Sequence, residues 1–514
     1  MLYLIIIELV INLILLLVYN MHMFQLNSYF FSKHSRWMKT NWKSLAIQEA
    51  FIIIAGACFN WPVVVAIILA ISILYNIPKK KSKIPLKFTQ RVIRLFVTEA
   101  ILCTLTCVLC GLSPENPLTI GFIIGIVLNI LSPIIGIVAN IINKPIENAI
   151  KQWYINDAKK ILKSMPNLTI IGVTGSYGKT SVKNFLAKTL SEKYEVLVTP
   201  KNYNTTMGVV KTIRENLTPL HQIFVCEMGA TKLGDIKEIC ELVHPTMGVI
   251  TAVGPQHMDS FKTIENVAKT KFELADEVLA NNGTLFLNYN NEEIVKYSKN
   301  MNKISYGIDN KEADYNAYDI QSSSEGLTFK MKDLKTQEEI NFKTKIIGKH
   351  NVLNLAGAIA VANYMGIPMK KIVPEVRELR NVKHRLELLG TGNLTIIDDA
   401  YNSNPISSKS AVETLGEFEG TKIIVTPGMI ELKKDQYKYN YEFGTYMADV
   451  CDYIYLVGEI NEEAMREGAK SKGYNENKII NVSSPQEAMQ KIAGLGISGK
   501  INVLLENDLP DNYK

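Results

Sequence analysis

The run GSYGKTS at residues 175–181 combines residue types that bind a chain of phosphates. Gly175 and Gly178 would let backbone N–H groups close on phosphate oxygens at the start of a helix, where the helix dipole also favours negative charge. Lys179 would reach the terminal phosphates, and the hydroxyl of Thr180 would hold Mg²⁺. The run therefore predicts a binding site for a nucleoside triphosphate.

The flanking residues predict the elements that would position this loop. The β-branched run 169–173 suits a buried strand, and the apolar residues of 182–190 recur at the spacing of an amphipathic helix. A complete phosphate-loop motif begins with a glycine five positions before Gly178, where this chain has Val173. A Gly-rich turn in an ordinary doubly wound domain is therefore the alternative, but the strand and helix favour nucleotide binding.

Further polar residues follow predicted strands along the chain. Glu227 ends the run IFVCE, and His257 follows the run MGVITAVG. Because the carboxyl ends of parallel strands share one sheet edge, this carboxylate and imidazole could hold a divalent cation between phosphate and substrate. Each residue alone also has a structural explanation, so the prediction depends on their joint order. The later candidates are Lys271 on a helix, Asn351 at a helix start, and Asp398, Asp399, Asn402 and Asn404 after a strand.

Composition limits the classes of protein to which the chain can belong. A formal net charge of +6 over 514 residues is mild, and the Lys and Arg clusters stand beside apolar runs, so no nucleic-acid partner is expected. The seven cysteines form no pair of CxxC motifs. Their spread fits a reducing cytosol without structural disulfides.

Residues 1–150 are predicted to form a transmembrane helical domain. The run from Leu2 to Tyr19 is apolar except for Glu8 and is long enough to span a bilayer. The apolar stretch 45–77 is interrupted by the sequence NWP at 60–62, which fits two spans joined by a tight turn. Two further spans are predicted over about 93–112 and about 118–142.

Charge placement favours five spans over four. With five spans and the N-terminus outside, the basic loops at 33–43 and 79–94 both lie on the cytoplasmic side. A single span over 45–77 is the alternative, and it would turn the KKKSK run at 79–83 outward. The five-span arrangement predicts a multi-pass protein of the cell membrane with its catalytic domains in the cytoplasm.

From residue 151 onward the pattern becomes that of an α/β chain. Strand-like runs such as TLFLNYN, KIIVTPG and NVLLEN alternate with helical stretches, which predicts parallel sheets flanked by helices. The segment 303–345 has short runs more typical of antiparallel strands. A helical pattern ends near 378–383, so two domains are predicted over 151–380 and 381–514.

Eight motifs follow one another between about residue 168 and the C-terminal region: GVTGSYGKTS, TPKNYNTTMG, CEMGATKLGDI, ITAVGPQHMDSF, VAKTKFEL, GKHNVLNLAGA, HRLELL and IDDAYNSNP. In this order they resemble the motifs of the Mur ligase superfamily. They are most similar to its MurF-type branch, which joins D-alanyl-D-alanine to UDP-N-acetylmuramoyl-tripeptide. The resemblance implies a central ATPase domain and a Rossmann-like C-terminal domain that closes over the nucleotide.

The resemblance also implies a role for each matching residue. Lys271 matches a lysine that is carbamylated in several branches, and Lys269 is its rival two residues earlier. The implied catalytic residues are Lys179, His257, Lys271 and Arg385. The implied ATP contacts are Gly175, Ser176, Gly178, Lys179, Thr180, Ser181, Asn351, Arg385 and Asp399. The implied Mg²⁺ ligands are Thr180, Glu227 and His257. Thr199, Asn202 and Asn204 are implied to contact the acyl substrate, and Asn402 and Asn404 the incoming amine.

The implied chemistry is ATP-dependent amide-bond formation in the synthesis of peptidoglycan precursors. A substrate carboxylate attacks the γ-phosphate to give an acyl phosphate and ADP, and an amine then displaces phosphate. The implied substrates are a UDP-linked or lipid-linked muramoyl peptide and an amino acid or D-alanyl-D-alanine, and the lipid bilayer is a further partner.

Three parts of the chain depart from the MurF-type pattern. Members of that branch resemble one another in a small soluble N-terminal domain that holds the UDP portion, whereas here this place is taken by the predicted spans. GMIELKKD and VLLENDLPDNYK also differ from the usual C-terminal motifs. A membrane-bound ligase of another envelope polymer, of poly-γ-glutamate type, is therefore an alternative, as are a non-catalytic membrane scaffold and an ATP-driven transporter.

Overall fold

The computed structural model describes residues 1–77, 85–111, 116–401, 403–430 and 432–508. The chain divides into two compact units, residues 1–153 and residues 154–508. The KKKSK run at 79–83 and the predicted amine-pocket residue Asn402 lie outside the described residues.

The first unit is helical. Its described helices are α1 (Leu2–Leu26), α2 (Phe31–Thr40), α3 (Trp42–Ala57), α4 (Pro62–Asn76), α5 (Gln90–Gly111), α6 (Pro117–Ile130) and α7 (Ser132–Lys163), and the boundary between the two units falls within α7. The predicted interruption at NWP is confirmed, because α3 ends before it and α4 begins at Pro62, a residue suited to the first turn of a helix.

Two described helices, α1 and α5, are long and apolar enough to cross a membrane. A third crossing is added if α6 and α7, which bend by 75° at their junction, form one span. Helices α3 and α4 have 16 and 15 residues, fewer than the roughly 20 that a straight span needs. The five-span count therefore stays a prediction.

A buried polar cluster joins three helices of this unit. Asn12 on α1 is fully buried, and its amide donates a hydrogen bond to Asn129 Oδ1 on α6 at 3.0 Å. Its carbonyl oxygen accepts from Ser72 Oγ and Asn76 Nδ2 on α4, at 3.2 and 3.0 Å. Polar side chains among apolar helices fix the relative rotation of those helices, because each must keep its partner.

The second unit contains a nine-stranded sheet in the order β2-β3-β1-β4-β5-β6-β7-β8-β9. In this spatial order all strands from β2 through β7, including β1, run parallel to their neighbours. Strand β8 is antiparallel to β7, and β9 is antiparallel to β8. The strands are β1 (Thr169–Thr174), β2 (Val196–Val198), β3 (Ile223–Glu227), β4 (Met247–Ile250), β5 (Thr284–Asn288), β6 (Ile304–Ile308), β7 (Tyr315–Ser323), β8 (Gly326–Asp333) and β9 (Glu339–Thr344).

The helices around this sheet follow the apolar patterns of the sequence. Helix α8 (Lys179–Leu190) buries Val182, Phe185, Leu186 and Leu190 almost completely, as the helical spacing predicts. The other helices are α9 (Thr206–Asn216), α10 (Asp235–Val243), α11 (Met258–Phe261), α12 (Ile264–Ala280), α13 (Glu292–Tyr297), α14 (His350–Tyr364) and α15 (Met369–Glu378). The prediction of antiparallel strands holds for β7 to β9, whereas β6 belongs to the parallel part.

A second sheet follows in the order β10-β11-β15-β12-β13-β14, with only β10 antiparallel to its neighbour. Its strands are β10 (Glu387–Thr391), β11 (Leu394–Asp399), β12 (Thr421–Thr426), β13 (Tyr453–Val457), β14 (Ile479–Val482) and β15 (Ile501–Glu506), and its helices are α16 (Pro405–Gly416), α17 (Gln436–Val450), α18 (Glu462–Ser471) and α19 (Pro485–Ala493). The predicted parallel α/β architecture is therefore confirmed, with the antiparallel strands β8 and β9 at one end of the first sheet and β10 at one edge of the second.

Candidate active site

The loop between β1 and α8 lies against the end of β4. A Cβ atom added to Gly175 would stand 2.1 Å from Thr251 Oγ1 and 2.9 Å from the Ala252 nitrogen, so only glycine fits there. The Ser176 N–H donates to the Ala252 carbonyl at 2.7 Å, and Ser176 Oγ donates to the Gly254 carbonyl at 3.0 Å. Ser176 therefore holds the loop in place, and its hydroxyl is already occupied.

Lys179 folds back over this loop. Its ammonium donates hydrogen bonds to the carbonyls of Gly175, at 2.6 Å, and Ser176, at 3.3 Å. Burial lowers the pKa of Lys179 to about 8; the nearby Glu227 carboxylate opposes this shift, and the Arg385 guanidinium adds to it. An anionic ligand at the loop would favour the charged ammonium, so this lysine is placed to neutralise phosphate.

Thr180 and Glu227 meet although 47 residues separate them in the chain. Thr180 Oγ1 donates to Glu227 Oε1 at 3.1 Å, and Asn204 Nδ2 donates to the same oxygen at 3.1 Å. The backbone N–H of Glu227 donates to Thr199 Oγ1 at 3.0 Å. The structure thus brings together two predicted metal ligands and two residues predicted to face the acyl substrate.

Lys183 completes this cluster, and the sequence interpretation missed it. Its ammonium lies 3.1 Å from Glu227 Oε2 and donates to the Lys201 carbonyl at 2.8 Å. The available signal was its spacing, because residues four apart on a helix share a face and Lys183 follows Lys179 by four positions.

Burial distinguishes Lys271 from its rival Lys269 on α12. Lys271 is 1% exposed and Lys269 is exposed, and among the described residues no hydrogen-bond partner contacts Lys271 Nζ. Burial, followed by the charge of Lys179, lowers the pKa of Lys271 well below its usual value. Carbamylation requires the uncharged amine, which a lowered pKa favours, and it remains a prediction here.

The predicted ligand contacts of His257 and Asn351 remain predictions. His257 is partly buried and precedes α11 with a left-handed backbone, φ 48°. Asn351 is buried, and its amide donates to the Ile347 carbonyl at 2.9 Å. Asn354 is the residue of α14 that lies against Gly178. A Cβ atom added to Gly178 would stand 2.5 Å from Asn354 Oδ1.

The second sheet contributes Arg385 and Asp399. The Arg385 guanidinium stacks over the Tyr401 ring at 4.4 Å, and the Leu386 N–H donates to Asp399 Oδ1 at 3.2 Å. Burial raises the pKa of Asp399 to about 7, although the positive charge of Arg385 opposes the shift. Because Arg385 interacts electrostatically with both Lys179 and Asp399, the two sheets place their candidate residues close to each other.

Comparison with known proteins covers the whole of this site. Residues 173–362 match the family model of the Mur ligase middle domain, and residues 384–504 match that of the Mur ligase glutamate ligase domain. The UDP-N-acetylmuramoyl-tripeptide–D-alanyl-D-alanine ligase of Bacillus subtilis (strain 168) is 30% identical over 327 residues, which are 63% of this chain and 69% of the relative. The chain belongs to the Mur ligase family.

Its similarity is to the MurF-type members of that family. The enzyme of the same name from Escherichia coli (strain K12) is 27% identical over 310 residues, which cover 58% of this chain and 67% of that one. The crystal structure of MurF from Acinetobacter baumannii superposes with a TM-score of 0.63 at 25% identity, over 70% of this chain and 77% of that chain. The ADP complex of the Thermotoga maritima MurF ligase shares the fold, with a TM-score of 0.61.

Mur ligases are ATP-dependent amide ligases that use Mg²⁺, and the residues present fit both requirements. The Thr180 hydroxyl and the Glu227 carboxylate are oxygen ligands of the kind that Mg²⁺ prefers, and they already stand within 3.1 Å of each other. Thr180 and Glu227 would hold the metal, and the loop and Lys179 would hold the terminal phosphates beside it.

Among the described residues, the structure shows no ligand-directed contact for three other predicted residues of this Mur ligase, Asn404, Asn202 and Ser181. Asn404 caps α16, where its side-chain oxygen accepts from the backbone N–H groups of Ile406 and Ser407 at 3.1 and 3.0 Å. Asn202 is exposed, and Ser181 is partly buried in the first turn of α8. Their predicted ligand contacts, like that of Asn402, remain proposals.

Proposed function

We propose that this Mur ligase joins D-alanyl-D-alanine to a muramoyl tripeptide with hydrolysis of ATP to ADP and phosphate. One observation carries the proposal: a phosphate loop, an oxygen-ligand pair and a buried lysine converge in a chain whose curated relatives have that activity. UDP-N-acetylmuramoyl-tripeptide is the acyl substrate named for those relatives.

The reaction proceeds in two displacements. The terminal carboxylate of the tripeptide attacks the γ-phosphorus of ATP, the bond from that phosphorus to the β–γ bridging oxygen breaks, and ADP leaves. The free amine of D-alanyl-D-alanine then attacks the acyl carbon, loses a proton and expels phosphate from the tetrahedral intermediate. Binding that is stronger in these charged transition states than in the ground state lowers both barriers.

The residues of the site supply that binding. Lys179 and Arg385 would neutralise the negative charge that develops on the phosphoryl oxygens, and the loop amides would orient the phosphates. Mg²⁺, when bound by Thr180 and Glu227, supplies Lewis-acid stabilisation of the phosphates. Thr199 and Asn204, which both hydrogen-bond Glu227, would position the acyl substrate beside them.

We further propose that the helical unit holds the catalytic unit at the inner face of the cell membrane, in the multi-pass arrangement of five spans. Large apolar side chains on its helices stay exposed, among them Ile14, Leu74, Leu105 and Ile141, and such surface is typical of contact with lipid. The tether would give access to a lipid-linked muramoyl peptide as well as to the UDP-linked form.

Mass spectrometry of the reaction products tests both proposals. Detergent-purified full chain receives ATP, Mg²⁺ and D-alanyl-D-alanine, with UDP-linked and lipid-linked muramoyl tripeptide offered in parallel. A dipeptide adduct supports the MurF-type reaction, and the preferred acceptor identifies what the helical unit is for. ADP release only with other amino acids would move the function to another envelope polymer and refute the D-alanyl-D-alanine assignment.

A further inference from the structure

A buried ion pair holds the carboxylate that faces Thr180. The Lys183 ammonium lies 3.1 Å from Glu227 Oε2, and both side chains are only 2% exposed. The other oxygen, Oε1, accepts the hydrogen bonds of Thr180 and Asn204. The two oxygens of one carboxylate are thus divided between a fixed cation and the hydroxyl expected to bind the metal.

The charges around this carboxylate disfavour a second cation. Lys183 neutralises Glu227 by direct contact. Lys179 adds a second positive charge that interacts electrostatically with Glu227, and the Arg385 guanidinium in turn interacts with Lys179. A divalent ion at Thr180 and Glu227 would meet this positive field in a poorly solvated site. Nucleotide phosphates supply the negative charge that Lys179 and Arg385 can pair with, and so remove much of the repulsion.

We propose that Lys183 is a positioning residue that makes divalent-cation binding at Thr180 and Glu227 depend on a bound nucleotide. Its contact with the Lys201 carbonyl, at 2.8 Å, anchors the ammonium so that it cannot swing away when a metal approaches. The order of binding that results, with the metal entering together with phosphate, protects the carboxylate from free cations. The effect rests on the metal site of the proposed function and does not depend on which acyl or amine substrate is used.

Equilibrium binding of Mn²⁺, detected by electron paramagnetic resonance, tests the proposal without turnover. The full chain in detergent is titrated with Mn²⁺ in the presence and absence of ADP, as wild type and as Lys183→Met. We expect Lys183→Met to bind Mn²⁺ without ADP about tenfold or more tightly than wild type, because a unit charge in direct contact with the liganding carboxylate is removed. A purely structural role for Lys183 predicts the opposite, a weaker site.

Two variants and one wild-type measurement complete the test. Lys183→Arg keeps the charge and should behave as wild type, and Lys188→Met removes a lysine of the same helix that pairs with Glu375 instead, so it should change nothing. Unchanged or weaker Mn²⁺ binding by folded Lys183→Met without ADP would overturn the proposal. If thermal melting shows that this variant is unfolded, Lys183→Gln replaces it. Wild-type protein that binds Mn²⁺ equally well with and without ADP would also overturn it.

Discussion

Lys271 is the residue whose environment most directly suggests a covalent modification. It is buried beside the phosphate loop, its pKa is lowered by burial, and no described side chain pairs with it. A carbamate on its nitrogen would convert a destabilised buried amine into an anionic oxygen ligand, which suits a metal-dependent site.

We expect Lys271→Ala to lose at least about 100-fold in kcat, the usual scale for removing one charge-stabilising group. Short carboxylic acids such as acetate should restore part of the activity by supplying the missing carboxylate. Product formation with and without added acid checks this. The exposed Lys269→Ala is the matched control and should retain activity; full activity in Lys271→Ala would exclude the role.

Asp399 predicts a pH dependence of stability. Its pKa is about 7 in the folded chain and near 4 when unfolded, so between these values the folded state binds more protons than the unfolded state. The free energy of unfolding should therefore fall as the pH rises from about 4 to 7, by at most about 1.4 kcal/mol per pH unit from this group.

Thermal unfolding of the full chain between pH 5 and 7 measures this effect. Asp399→Asn should unfold at a temperature that depends less on pH than that of wild type, and the two curves should converge toward low pH. Glu413→Gln changes an exposed acid on α16 and serves as the control. Parallel curves for wild type and Asp399→Asn would contradict the assignment.

At the scale of elements, the turn from β1 into α8 depends on a glycine that nothing can replace. A methyl group at Gly175 would collide with Thr251 Oγ1 and with both the nitrogen and the carbonyl oxygen of Ala252, at 2.1, 2.9 and 3.1 Å. Thr251 and Ala252 directly follow β4 and are hydrogen-bonded to the β1 end and the loop, Thr251 through its N–H to the Thr174 carbonyl and Ala252 through its carbonyl to the Ser176 N–H, so an added methyl would displace the loop.

Gly175→Ala should therefore abolish ADP binding and lower the free energy of unfolding by about 1–3 kcal/mol. Calorimetric titration with ADP and thermal melting measure the two effects. Gly416→Ala is the matched control, since its added methyl would meet only Val450 at an ordinary 3.5 Å and alanine favours helix. Undiminished ADP affinity in Gly175→Ala would show that the loop does not cradle phosphate.

At the scale of the whole molecule, the helical unit should affect substrate choice more than chemistry. A truncated chain that begins at Lys151 retains the complete second unit, which starts at Tyr154. We expect it to hydrolyse ATP but to lose about tenfold or more in kcat/KM on a membrane-embedded acceptor, because a tether raises the effective concentration of that acceptor.

Vesicles that contain the lipid-linked peptide, compared with soluble UDP-linked peptide, provide the measurement. The full chain should prefer the vesicle substrate, and the truncated chain should not. If the truncated chain uses the vesicle substrate as efficiently as the full chain does, the tether has no role in substrate choice.

Features that depend on neighbours along the chain can be predicted from the sequence alone. The strand and helix that flank residues 175–178, the amphipathic face of α8 and the alternation of strands and helices are local patterns of residue type and period, and the structure confirms them. The apolar runs also placed the helices of the first unit. The breaks between these helices at 58–61 and at Leu131 decide how many helices can span a membrane. Only the first break coincides with a turn predicted from the sequence, NWP at 60–62.

The burial of individual side chains and the contacts between distant residues depend on how the elements pack. Lys271 and Lys269 look alike in sequence, but α12 turns one toward the sheet and the other toward solvent. Glu227 meets Thr180 and Lys183 because β1 and β3 are paired in register, so that Val173 lies opposite Glu227. Long-range register and burial arise from the packing of whole elements, which no local pattern encodes.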